Sequence, residues 1–168
     1  MTDGAIDKDL ERRLAELWAA FDDTAPADFL AKMQALAAEL PPGHAIALFE
    51  LASAHDSLGH EQQAAPLYRQ ALGAGLVGRR RREATIQLAS TLRNLGQAEE
   101  SVALLRAERE AQSDELDDAV AAFLALALVD TGRAKEAVAL ALTALSGHMT
   151  RYKRSLANYA KALREGPM

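Results

Sequence analysis

Residues 73–78 read Gly-Ala-Gly-Leu-Val-Gly and are followed at once by Arg79, Arg80, Arg81 and Arg82. Glycines at this spacing beside cations suggest a phosphate cradle, in which backbone N–H groups and guanidiniums surround an anion. That chemistry works only where a strand precedes the glycines and a helix N-terminus follows, inside a βαβ unit. Here a helical stretch precedes them, and no strand or ribose-binding acid is visible. The segment therefore reads as a loop between helices, and no nucleotide or other cofactor is expected. Successive helix residues point about 100° apart, so four adjacent arginines cannot face one ligand together. They read as a solvated helix start that balances acids such as Glu83, at a small cost against the helix dipole.

The four histidines, His44, His55, His60 and His148, offer no catalytic or metal-binding pattern. His60-Glu61-Gln62-Gln63-Ala64 lacks the second histidine of a zinc-binding H-E-x-x-H. His55 reads as a packed, hydrogen-bonded residue on the face turned toward its own hairpin. No cysteine is present, which excludes disulfides and thiolate metal sites and fits a reducing compartment. No nucleophile elbow supports Ser–His–Asp chemistry. The expectation is a protein without catalytic residues, metal or cofactor.

The elements that carry these side chains follow from composition and periodicity. Among 168 residues there are 37 Ala and 26 Leu, against few β-branched and aromatic residues, so an all-α core is expected. Apolar spacing of three and four predicts helices over about 6–22, 24–40, 44–58, 60–73, 80–95, 97–111, 116–131, 133–146 and 149–165. The first carries Leu10, Leu14, Leu17, Trp18 and Phe21 on one face. Net charge is −5, with −6 over residues 1–50, +3 over 51–82, −6 over 83–148 and +4 over 149–168. That balance disfavours nucleic acid as a partner. No apolar run reaches the roughly 20 residues of a membrane span, and Asp3, Asp7 and Asp9 have the wrong sign for a signal peptide. A cytoplasmic protein is expected, and an Arg excess of 14 to 5 over Lys, with the alanine richness, suggests a GC-rich bacterial source.

Three glycines, Gly59, Gly96 and Gly132, stand 37 and 36 residues apart, each between two amphipathic stretches. Eight residues before each glycine comes Leu51, Leu88 or Leu124, and one later Ala52, Ala89 or Ala125. Five after it comes Ala64, Ser101 or Ala137. A glycine can close a helix with positive φ, and small residues on both sides let the two helices approach. One such hairpin cannot bury its apolar face alone, so copies stack. These residues, and above all Leu51-Ala52, Leu58-Gly59, Ala64, Tyr68 and Ala71-Leu72, resemble the tetratricopeptide repeat family. The resemblance implies a right-handed α-solenoid of antiparallel helix hairpins in a single domain: a degenerate or capping hairpin over 1–42, three repeats over 44–146 and a capping helix over 149–165.

It also implies a scaffold that binds a protein or peptide on the concave inner wall lined by the first helices. The wall residues are Ile46, Phe49, Glu50, Ser53, Asp56 and Ser57 in the first repeat. They continue as Glu83, Ile86, Gln87, Ser90, Arg93 and Asn94 in the second, and in the third include Phe123, Leu126, Val129 and Asp130. Asp56 and Arg93 occupy equivalent positions and are expected to pair. Phe49 and Ser53 stand where a family carboxylate clamp needs lysine and asparagine, so that mode of recognition is not expected. On the last helix the stripe Tyr152, Leu156, Tyr159, Ala160 and Leu163 is expected to cap the third repeat rather than bind a membrane. The alternative to peptide binding is a self-assembling, homo-oligomeric helical-repeat module without a peptide ligand.

Overall fold

Apolar residues recurring every three and four positions produce nine helices and no strand among residues 6–165, the part of the chain that the computed structural model describes. Asp3, part of the acidic N-terminus, lies outside the described residues. The helices are α1 (Lys8–Ala19), α2 (Pro26–Ala37), α3 (Ala45–Ser57), α4 (Glu61–Gly73), α5 (Gly78–Asn94), α6 (Ala98–Ala111), α7 (Asp117–Asp130), α8 (Ala134–His148) and α9 (Lys153–Glu165). Each falls within about four residues of its expected span. The largest difference is the start of α9, at Lys153 rather than 149; α1 ends three residues early, where Ala20–Asp23 form tight turns and the Thr24 hydroxyl donates to the Ala20 carbonyl at 2.6 Å. At its start, the Asp7 side chain accepts from the Asp9 N–H at 2.8 Å.

The repeat glycines do the same work three times. Gly59, Gly96 and Gly132 have φ of 74°, 78° and 78°. The residue after each donates back to a carbonyl five positions earlier: His60 to His55 at 2.9 Å, Gln97 to Leu92 at 2.8 Å and Arg133 to Leu128 at 2.8 Å. This 6→1 bond with a left-handed residue before the donor is the Schellman closure of a helix. A side chain at that φ costs about 1–2 kcal/mol, so the period of the sequence is the period of helix ends. Gly75 (φ 85°) closes α4 in the same way, with Leu76 donating to Ala71 at 3.2 Å. The glycine pattern at 73–78 is thus a helix C-terminal turn leading into α5.

Contacts divide the chain into two compact units that part between Thr91 and Leu92. In the N-terminal unit α1 packs on α2, α2 on α3 and α3 on α4. An apolar cluster joins Leu10, Leu14 and Leu17 of α1 with Phe29 and Met33 of α2 and Ala54 of α3. Phe29 is fully buried and meets Trp18 edge-on at 5.1 Å and Phe21 at 4.8 Å. The buried alanines Ala52, Ala64 and Ala71 sit where α3 and α4 approach. In the C-terminal unit α6, α7, α8 and α9 pack in sequence order, around Leu105, Val120, Leu124, Leu128 and Ala137.

The last helix corrects one expectation. Ala160 is buried and Leu156 half-buried, but Tyr152 and Tyr159 are 71% and 70% exposed and Leu163 is also exposed. The helix docks on one edge, through Leu156 and Ala160, and leaves the aromatic edge in solvent. The stripe therefore caps only in part: the midpoint of Tyr159 and Leu163 stands about 60° around the helix from the midpoint of Leu156 and Ala160, and Tyr152 precedes α9 with φ 62°, off the helical stripe.

Candidate functional site

Three first helices, α1, α3 and α5, converge with the α4–α5 turn around a cavity of about 680 Å³ in the N-terminal unit. Trp18, Ile46, Phe49, Leu76 and Val77 supply its apolar wall. Glu11, Glu50, Glu83, Arg79 and Arg80 supply its charges, and Ser53, Ser57 and Gln87 neutral polar groups. From the expected inner wall, Phe49, Glu50, Ser53, Glu83 and Gln87 come together here, with Ile46 and Ser57. Asp56 and Ser90 do not line the cavity. Phe49, Glu50, Ser53 and Ile86 are nearly buried, at 5–6% exposure, rather than open to solvent. Of these, Phe49, Glu50 and Ser53 line the cavity, whereas Ile86 does not.

The charged lining is an ordered network. Arg80 grips Glu11 through two bonds, Nη1 to Oε1 at 2.8 Å and Nη2 to Oε2 at 2.7 Å. Its Nε donates to Glu50 Oε1 at 3.2 Å, and the Trp18 indole N–H donates to Glu50 Oε2 at 2.8 Å. One guanidinium thereby joins α1, α3 and α5. The Arg80 hydrogen bonds hold the Glu11 carboxyl below its ordinary range. Burial pushes Glu50 up, against the opposing pull of Trp18 and Arg80. Arg79 pairs with Glu83 at 2.7 Å one helical turn on. The reading of Arg79–Arg82 as a solvated helix start is corrected accordingly: Arg82 is fully buried and Arg80 is largely covered.

Behind the cavity a second polar chain fixes its back wall. The Ser53 hydroxyl donates to Gln87 Oε1 at 3.1 Å, and the Tyr68 hydroxyl reaches Ser53 Oγ at 3.4 Å and Asp56 Oδ2 at 3.3 Å. Thr91 donates to Asp56 Oδ1 at 3.0 Å. Burial raises both Asp56 and the Tyr68 phenol, the latter further because of the Asp56 charge. The expected Asp56–Arg93 pair gives way to two separate arrangements. Asp56 is taken by Thr91 and Tyr68, while Arg93 forms its ion pair with Asp130 at 2.5 Å in the C-terminal unit. In that unit Asn94 and Leu126 are exposed and Phe123 is half-buried.

The histidines have local partners. His44 Nδ1 accepts from the Ile46 N–H at 3.3 Å and starts α3, and His148 Nε2 lies 2.7 Å from Asp118. His55 and His60 face one another, Nδ1 to Nδ1 at 3.3 Å. Among the described residues there is no group of three side chains able to hold a metal, and no helix is long and apolar enough to cross a membrane.

Trp18, Glu11 and Arg80 escape a reading by spacing because their contacts span 32, 30 and 69 residues. Aligning α1 with α3 and α5 as another first helix is the signal that brings Glu11 and Trp18 to the same face.

Paired helices closed by a glycine at a fixed period, with first helices around a cavity, define a helical-hairpin repeat protein. The family model of the tetratrico peptide repeat matches residues 45–163, about seven-tenths of the chain, and the chain belongs to that family. Members of this repeat family serve in protein–protein interaction and scaffolding and are generally not catalysts. No curated protein and no solved structure matches the chain.

Proposed function

We propose that this protein is a scaffold that holds a partner protein or peptide on the first-helix face of its N-terminal unit, with the cavity as its anchor pocket. The observation that carries this reading is the cavity: three successive first helices contribute apolar wall and ordered charge to one concavity of about 680 Å³, the size and chemistry of a ligand site. Its excess of carboxylates argues against nucleic acid. Ser57 lies exposed on its rim, so Ser57→Phe fills the space without touching the core. Affinity capture from the source cell should recover the partner at a level reduced about tenfold for this variant, with helicity unchanged. Equal recovery would count against the pocket.

Self-assembly is a second reading, favoured by the exposed Tyr152, Tyr159, Leu145 and Val138 of the C-terminal unit. The +4 charge of residues 149–168 repels its own copy but suits the −6 of residues 1–50, so the contact is head to tail. Mass in solution should then rise with concentration and fall with salt, and a monomer at all concentrations would dispose of it.

A further inference from the structure

The proposed pocket also carries information about what fills it. Three carboxylates, Glu11, Glu50 and Glu83, share the lining with two guanidiniums, Arg79 and Arg80. Arg80 is bound by Glu11 and Glu50, and Arg79 by Glu83. Arg93, on the expected inner wall, is matched by Asp130. Carboxylates and guanidiniums are thus equally engaged, and the net excess of one negative charge is what an acidic ligand entering the cavity would meet. A cation on an apolar stem gains on both counts, since the stem is covered by Phe49, Leu76 and Val77 and the charge faces carboxylates and the ring of Trp18. Burial of Glu50 works in the same direction, because its carboxylate is held with less compensation than burial demands.

We infer that the pocket takes a lysine or arginine side chain of the partner, flanked by an apolar residue, and rejects acidic residues and terminal carboxylates. This rests on the pocket being the binding site. Complementarity of this kind sets specificity by penalising the wrong charge as well as by favouring the right one.

The chain has one tryptophan, so the indole N–H resonance of Trp18 reports occupancy directly. The probes are the pentapeptide acetyl-Ala-Leu-Lys-Leu-Ala-amide and its counterparts with norleucine or glutamate in place of lysine. The lysine peptide should shift the indole signal and bind about tenfold more tightly than either counterpart. Glu83→Gln, at the edge of the network, should erase most of that preference, as should Glu50→Gln. Norleucine or glutamate peptides that bind as tightly would overturn the charge preference while leaving the pocket in place. An indole signal that no peptide moves at millimolar concentration would overturn the inference and the pocket together. Solution mass is followed in parallel: a dimer that the lysine peptide dissociates would put the basic α9 of a second copy in the pocket and overturn a foreign partner.

Discussion

Phe29→Ala is expected to cost about 3–5 kcal/mol, the range for truncating a fully buried aromatic whose neighbours cannot close the gap. Phe29 has no exposed surface and holds Trp18 and Phe21 edge-on, so the loss includes two aromatic contacts as well as the cavity left behind. In a chain of this size the melting temperature should fall by on the order of 10 °C. The effect reaches the pocket, because Trp18 stands between Phe29 and Glu50. A denaturant midpoint shift equivalent to less than about 1 kcal/mol would show that the aromatic cluster does not organise the N-terminal unit.

Arg80→Ala should cost about 2–3 kcal/mol near neutral pH. The usual penalty for breaking a buried pair, about 3–5 kcal/mol, is reduced here because Glu11 is well exposed. The cost arises mainly at Glu50, whose side chain is 7% exposed and would keep only the Trp18 N–H. The pH dependence has a definite sign. Glu11 titrates below its unfolded value, so the stability it contributes is present above that value and lost as pH falls through the folded one. Glu50 titrates above its unfolded value, so it opposes folding more as pH rises through the interval between the two, and more so without Arg80. Both effects shrink the difference between wild type and variant in acid. Melting curves followed from neutral pH down through and below the ordinary glutamate range should therefore converge; a constant gap would mean that Arg80 acts by packing alone.

Residue types and periodicity made the helices legible, because alanine and leucine at three- and four-residue spacing leave no other way to bury the apolar side chains. The glycine period marked the hairpin ends for an equally local reason, positive φ at the last turn. Partner choice was less legible. Asp56, Arg93 and Asp130 recur at intervals of 37 residues, so spacing offers Arg93 two equivalent acids and cannot choose between them. The choice falls to Asp130 because the Thr91 and Tyr68 hydroxyls occupy Asp56. The same limit hid half of the candidate pocket. Phe49, Glu50, Ser53, Glu83 and Gln87 follow from counting around two helices, whereas Glu11 and Trp18 belong to a hairpin whose sequence does not keep the repeat pattern. Arg80 looked solvated because nothing local revealed two acids reaching it from α1 and α3. Tyr159 of α9 shows the converse, since an apolar stripe identifies a face and leaves open which edge of it packs.

The claim that a partner lies against the first helices of the N-terminal unit is tested most directly by photo-cross-linking inside the source cell. Val77, on the cavity wall and 56% exposed, is replaced by p-benzoylphenylalanine, and Gln70, exposed on α4, by the same residue in a second variant. A discrete adduct from position 77, lost when Ser57→Phe is added and absent from position 70, is the result expected. Adducts from position 70 with none from position 77 would contradict it.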